Sequence, residues 1–289
     1  MTCTVLEHAL AADKSDIRVA IWDGYSWDEE DVRGPDASYT PLRSFGLIVT
    51  SDGWTLGKAE PSTTLTAVPG MAGSADQTIV DARSYAYPGR RTVEINIAAL
   101  GDAEQIREGM AHAGTFNGAT VRVKGLLADP RLYIEGRASL GEWTLRRRAG
   151  GALVAAVSKL SIAALPYAYG PLERVELSTG SQTVLVKGNA PTAPFVSLES
   201  ASGSTAPAQL SYYPNTGAAK VLKSYLSSSA GWSFWCAAHY SKAKADGGDP
   251  ESPKIGIAMS ADWLTLNPGS CSLYCSTSGY LTYNPAYAF

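Results

Sequence analysis

The sequence predicts a mainly β chain: an α+β N-terminal domain with one helix on its sheets, followed by an antiparallel β-sandwich. Three observations carry that expectation. Stretches of apolar–polar alternation recur along the chain, a single segment combines helical periodicity with start and stop signals, and clusters of Gly, Ser, Pro and Asn separate the strands. With 289 residues, 45% hydrophobic and 18% charged, the chain is long enough for two domains.

In the first half, Val93, Ile95 and Ile97 alternate with Thr92, Glu94 and Asn96, and Val121 and Val123 alternate with Thr120, Arg122 and Lys124, as half-buried strands should. Between them the helix is marked at 102–114. Asp102 can cap it, Gln105 stands at the capping-box position, Ile106, Met110 and Ala113 share a face, and Gly114 closes it. Further strands are expected at 45–50, 132–136, 141–147, 153–165 and 184–187. The segment Asp129-Pro130-Arg131 is a turn, and the strand after it puts Leu132 and Ile134 on one face, Tyr133 and Glu135 on the other, and breaks at Gly136.

Pro191 and Pro194 then stiffen the segment 188–194, which reads as the connector between a domain at 1–187 and one at 188–289. Beyond it, short strands are expected at 195–198, 209–212, 232–238, 255–259, 272–276 and 280–284, with 242–253 an exposed hairpin loop.

The net charge of -3 shows no basic excess that would draw the chain to nucleic acid or an acidic membrane surface, so no sequence-specific nucleic-acid partner is expected. The weakly charged run 149–171 is interrupted by Lys159 and rich in Gly, Ser and Pro, which argues against membrane insertion. The first eight residues lack a basic stretch followed by an apolar one, so synthesis in a cytoplasm is expected. Cys3, Cys236, Cys271 and Cys275 show no metal or redox spacing. Cys271 and Cys275 would lie about 13 Å apart on one strand, too far for a bridge unless the chain turns.

No nucleophile elbow, phosphate loop, dinucleotide fingerprint or zinc-protease motif occurs, and His8, His112 and His239 are far apart in sequence. The chain therefore reads as non-enzymatic, with no catalytic, metal or cofactor-binding residue and no cofactor. The acidic run Asp23, Asp28, Glu29, Glu30, Asp31 and Asp36, interleaved with Trp22, Tyr25 and Trp27, lacks the spacing of a calcium loop. It reads as a solvated loop or, should the chain build a ring, as a negatively charged lining or rim of its channel. Asp246 and Asp249 around Gly247-Gly248 read as a turn rather than a cation site. Arg90-Arg91 and Arg146-Arg147-Arg148 are short clusters at strand ends, suited to a solvated face or to salt bridges between subunits. Trp232, Trp235, Tyr240, Trp263, Tyr274, Tyr280 and Tyr283 are either core or, in part, a sugar-stacking platform. Trp232 and Trp235, three apart, point to opposite faces of a strand.

Taken in order, these pieces resemble the distal tail proteins of long, non-contractile-tailed phages, a phage tail family of baseplate hub components. Val68-Pro69-Gly70-Met71-Ala72-Gly73 looks like the family's proline-glycine turn, and the strand at 91–97, the helix and the strand at 120–124 follow it. Asp129-Pro130 with Tyr133-Ile134-Glu135-Gly136-Arg137 is similar to its "D-P-x-x-Y-x-x-G-R" strand, and Leu165-Pro166-Tyr167-Ala168-Tyr169 to its "C-P-Y-x-Y" strand. Gly188-Asn189 with Pro191 and Pro194, and the turn Leu266-Asn267-Pro268-Gly269, look like pieces of the family's second domain.

Leu165 stands where the family often has cysteine, Met71 where arginine is commoner, and residues 1–42 have no counterpart. The resemblance implies a virion structural protein of the phage tail tip. Its N-terminal domains would build a ring, commonly a hexamer, and its C-terminal domain would be a galectin-like or jelly-roll sandwich. The partners implied are the tail tube protein, the tape-measure protein and a tail-tip or tail-associated protein. The alternative is a carbohydrate-binding adhesion module that recognises a host-surface glycan.

Overall fold

The computed structural model describes residues 17–21, 39–67, 74–78, 88–199, 207–215, 217–224, 231–237, 240–245 and 262–289, with only the backbone at 67, 74, 75, 237 and 240–245. The fold is mainly β with antiparallel sheets and divides into two compact units, Met1–Ala168 and Tyr169–Phe289.

In the first unit, β1 (Arg18–Ile21) and β2 (Thr40–Pro41) are followed by a 3-10 turn (Leu42–Phe45) and β3 (Leu47–Leu56). The hairpin strands β4 (Leu65–Ala67) and β5 (Ser74–Asp76) precede β6 (Arg91–Leu100), helix α1 (Ala103–Gly114) and β7 (Thr120–Lys124). Last come β8 (Tyr133–Leu140), β9 (Thr144–Arg147) and β10 (Leu153–Ala164). The main sheet runs β2-β1-β7-β8-β10-β6-β3, with β9 also paired to β10. Alternation does what it should: Val93, Ile95, Ile97 and Ala99 of β6 and Leu160, Ile162 and Ala164 of β10 are all buried in one core with Ile106 and Ala113 of α1.

Helix α1 begins as its sequence predicts. Asp102 Oδ1 accepts from the backbone N–H of Glu104 (3.0 Å) and Gln105 (2.9 Å), and Gln105 Oε1 accepts from Asp102 N–H (3.1 Å), a complete capping box. It ends differently. Gly114 is the last helical residue, and Thr115, right-handed at φ -67, caps the end as its backbone N–H and its hydroxyl both bond the His112 carbonyl. Met110 is half-buried; between Ile106 and Ala113 the buried position is Gly109. A Cβ on Gly109 would stand 2.9 Å from Ala99 Cβ and 3.0 Å from Gly46 O, so this glycine sets how closely the helix lies on the sheet.

The strand expected at 141–147 is shorter, because the chain breaks at Gly141. There the Gly141 N–H bonds Lys159 O (2.8 Å) and its carbonyl accepts from Ser158 Oγ (2.9 Å) before β9 resumes pairing with β10.

The second unit opens within β11 (Ala168–Tyr169) and continues with β12 (Glu173–Leu177), β13 (Gly180–Val186), β14 (Phe195–Leu198), β15 (Gln209–Pro214) and β16 (Lys220–Lys223). After them come β17 (Trp232–Ala237), β18 (Tyr240–Ala245), β19 (Gly269–Cys275), β20 (Gly279–Tyr283) and β21 (Ala286–Tyr287). A five-stranded sheet, β12-β20-β14-β17-β18, and a four-stranded one, β13-β19-β15-β16, share a core. Val196, Leu198, Phe234 and Leu281 come from one sheet and Val186, Leu210, Tyr212 and Leu273 from the other, with Leu264 and Leu266 between strands. This is the expected β-sandwich.

The dividing point differs from the one read in the sequence. Residues 169–187, expected in the first domain, supply β12 and β13, which pair with β20 and β19 of the second unit. In addition, 188–194 is no free connector. Gly188, at φ +105, passes so close to the C-terminal strand that a Cβ would stand 2.5 Å from Ala286 O. The Asn189 carboxamide both donates to Ala288 O (3.0 Å) and accepts from Ala288 N–H (2.6 Å). Residues 242–245, expected in a loop, belong to β18, and the strand expected at 255–259 lies outside the described residues.

Candidate assembly surfaces

The motif residues Asp129, Tyr133, Glu135, Gly136 and Arg137 each make contacts within the first unit. Asp129 Oδ1 accepts from the backbone and Nε of Arg131 (both 3.0 Å) and Oδ2 from its Nη2 (2.8 Å), which fixes the turn and holds the carboxyl at a pKa of about 2. Tyr133 lies under the Arg122 guanidinium, 4.6 Å from its ring centre. Glu135, directly opposite Arg122 in the β7–β8 register, accepts from Arg122 Nε at 2.8 Å, with both side chains buried. A Cβ on Gly136 would stand 2.5 Å from Ala164 Cα and 2.6 Å from Ala163 O, so only glycine lets β10 approach there. Arg137 donates to Gly118 O (2.7 Å).

Between β3 and β6, the described residues 57–67, 74–78 and 88–90 leave the main sheet as an arm. Its stem is closed by Gly57 N–H to Thr92 O (2.8 Å), Gly89 N–H to Glu60 O (2.6 Å) and a bridge between Pro61 and Pro88. The hairpin β4–β5 forms a two-stranded sheet of its own. Side chains 61–66 are all exposed, and Leu65 is 64% exposed. A lone two-stranded ribbon is marginal in water.

A second exposed stretch is β9. All four of its side chains are exposed, with Arg146 and Arg147 beside Leu145 (47% exposed), and Val154 (40%) faces out from the facing strand. Arg148 begins the turn between them, and Arg147 donates to Gly151 O (2.9 Å). The other basic cluster splits. Arg90 is exposed and donates to Ala163 O (3.1 Å), whereas Arg91 is buried, which pulls its guanidinium pKa down by desolvation.

The aromatic residues of the second unit do not form one platform. Trp232 and Tyr283 are in the core, Tyr283 accepting from Lys187 N–H (3.0 Å). Trp235 points to the other face, as the three-residue spacing predicts, yet it too is buried, packed on Phe195 at 4.9 Å. Phe195 in turn lies 6.0 Å from Tyr280, whose ring sits beneath Arg174 at 3.9 Å. Trp263 (37% exposed) and Tyr274 (43%) are open to solvent, and the Tyr240 side chain lies outside the described residues. Sequence reasoning missed Tyr213 (49% exposed), which stands with Tyr274 on the outer face of the four-stranded sheet; the exposed parity of β15 is the signal that could have found it.

His112 is exposed on α1, its Nδ1 3.2 Å from Phe45 O and its ring edge-on to Phe45, so it braces the 3-10 turn. His8, His239, Cys3, the acidic run 22–36, the turn 68–73 and the pair Asp246 and Asp249 lie outside the described residues. Among the described residues no three acidic, His or Cys side chains group as a metal site, and no helix is long and apolar enough to cross a membrane.

Cys236, Cys271 and Cys275 are buried free thiols. Burial pushes Cys236 to about 12 and Cys275 to about 11, and raises Cys271. These three cysteines are expected to resist a thiol reagent at pH 8 in the folded protein and to react fully in denaturant; counting labelled sites by mass spectrometry checks this.

No family model matches the chain, and no curated protein does. Among solved structures, the chain is similar to the SPP1 Dit (gp 19.1) protein, described as a paradigm of the hub adsorption apparatus in phages that infect Gram-positive bacteria. The TM-score is 0.56 at 16% identity, over 93% of this chain and 98% of that one. It is also similar to a chain of the phage P2 baseplate in its activated, calcium-bound conformation, with a TM-score of 0.48 at 8% identity over 93% and 98%.

Proposed function

We propose that this chain is a structural phage or prophage tail protein, a distal tail hub component without enzymatic activity. In this reading it assembles into a ring, commonly a hexamer, between the tail tube and the tail tip. The observation that carries the reading is the fold shared with the SPP1 hub protein across both units, 93% of the chain at a TM-score of 0.56. The order of the motif strands supports it independently of overall shape, and the exposed arm between β3 and β6 offers a surface for assembly. A heterologous contact, in which the arm of one copy meets a different surface of the next, closes into a ring when the rotation fits.

The partners in this reading are the tail tube, tape-measure and tail-tip proteins, and the place of action is the virion tail tip after synthesis in the host cytoplasm. Glycan recognition gains less support, because Trp232, Trp235 and Tyr283 are buried away from any ligand.

The test is the particle mass of the full-length protein by light scattering, with electron microscopy of the large species. A closed ring with an open centre is expected. Leu65→Lys, which puts a charge on an exposed arm position, is expected to reduce the ring to smaller species with an unchanged melting temperature. A wild-type mass insensitive to Leu65→Lys would show that the arm does not build the assembly, and an absence of rings with purified tail partners present would defeat the hub reading itself.

A further inference from the structure

Only part of the aromatic set of the second unit is free to meet a ligand. Tyr280 carries Arg174 over its ring at 3.9 Å, and Trp235 packs on Phe195. The hydroxyls of Tyr212 and Tyr283 accept from the N–H groups of Asn267 (2.8 Å) and Lys187 (3.0 Å). Tyr213, Tyr274 and Trp263 differ. They are exposed, and among the described residues no ring or cation stacks on them and no hydrogen bond takes up their polar atoms.

All three stand on one sheet, β13-β19-β15-β16. In the β15–β19 register Tyr274 is opposite Ser211 and Tyr213 is opposite Ser272, so the two tyrosines are diagonal neighbours on the outer face, about 7 Å apart at Cβ. On the other side of β19, Ser181 lies beside Tyr274 and Thr183 beside Ser272. Trp263 is at the β16 edge. Asp262 before it donates its N–H to Val221 O (2.7 Å), and Leu264 after it is buried in the core, so alternation turns the indole outward. Val184, Leu210 and Leu273, inward residues of β13, β15 and β19, are packed in that core, so the rings rise from a sheet whose plane is fixed.

We infer that this face binds an uncharged polysaccharide, laid across Tyr274 and Tyr213 toward Trp263. A pyranose ring has a face of C–H groups and a rim of hydroxyls. The C–H face stacks on an aromatic ring, whose π face is negative, and the rim exchanges hydrogen bonds with side-chain hydroxyls. Both halves of that chemistry are present, because each tyrosine ring is flanked across the strands by serine or threonine. A protein partner would call for arginine and aliphatic groups around the rings, and the cross-strand neighbours of the two tyrosines are neither. Charge selects the class of glycan: the outward residues of β15 and β19, Gln209, Ser211, Tyr213, Ser270, Ser272 and Tyr274, hold no cation for an anionic polymer. Glycan attachment adds to the proposed assembly role and does not depend on it.

The experiment is native affinity electrophoresis of the full-length chain through gels containing a neutral α-glucan, β-glucan, mannan or galactan, or the anionic polymer polygalacturonate. At least one neutral polymer is expected to retard the wild type. Tyr213→Ala and Tyr274→Ala should each raise the dissociation constant at least tenfold. Both positions are exposed, so melting temperatures should match wild type and exclude misfolding. Tyr274→Phe, which keeps the ring, should stay within about threefold of wild type. The tyrosine dependence should persist in a Leu65→Lys background whatever its particle mass, so failure of the ring and failure of glycan binding are read separately. Three results overturn the inference: no retardation by any neutral polymer, retardation by polygalacturonate alone, or retardation unchanged in the double variant Tyr213→Ala with Tyr274→Ala. Tyrosine variants that lose particle mass while keeping their retardation would make the face a protein contact and overturn it equally.

Discussion

Gly279→Ala is expected to cost the second unit about 3 kcal/mol or more, the upper end of overpacking penalties. Gly279 opens β20, the strand that lies between β12 and β14 in the five-stranded sheet, opposite both Leu177 and Leu198. A Cβ there would overlap the Ser197 carbonyl oxygen and sit 2.9 Å from Leu198 Cα. Both obstacles are backbone, so no rotamer change relieves them, and β14 or β20 must move. Either movement pulls on Leu198 and Leu281, which are wholly buried in the sandwich core. The melting transition of this unit should fall by roughly 10–15 °C. Gly114→Ala, with nothing within 4 Å of its Cβ and an ordinary φ, should leave stability unchanged or slightly raised. Equal melting curves for Gly279→Ala and wild type in calorimetry would mean that β14 and β20 are not as closely placed as described.

The parts of the fold that the sequence makes legible are those whose apolar residues are buried within the chain itself. Alternation in β6, β7 and β10 and the capping box of α1 are written locally, and local rules find them. The arm is not legible for the complementary reason. Side chains 61–66 bury nothing inside the chain, so Leu65 stands among Ser and Thr without a pattern. β12 turns Val175 and Leu177 inward, but Val175 stands between Arg174 and Glu176, and the dividing point shifts with it. Parity places Trp232 and Trp235 on opposite faces, but burial of the second depends on Phe195, a neighbour across the sheet rather than along the chain. Among the exposed residues, the arginine clusters and Tyr274 are read from the sequence, whereas the unequal burial of Arg90 and Arg91 is visible only in the structure.

Glu135→Ala is expected to cost the first unit about 3–5 kcal/mol, because removing one partner of a buried ion pair leaves the other charge uncompensated. Arg122 and Glu135 have side-chain exposures of 5% and 9% and meet at 2.8 Å. The guanidinium also covers the Tyr133 ring, so the pair fixes where β8 sits against β7. Replacing both charges with apolar residues, Arg122→Met with Glu135→Leu, should recover most of the loss, since desolvation largely offsets what the pair gains by attraction. The comparison of single and double variants by chemical denaturation decides the point; a double variant as unstable as Glu135→Ala would mean that other contacts of these residues set the cost. The same strand carries Gly136, which admits β10, and Arg137, which holds Gly118. Its conspicuous residues therefore act on the register of β7, β8 and β10 rather than on a ligand. That is what the proposed hub subunit needs, because a surface that meets neighbours can select a symmetry only when the sheet behind it does not shift.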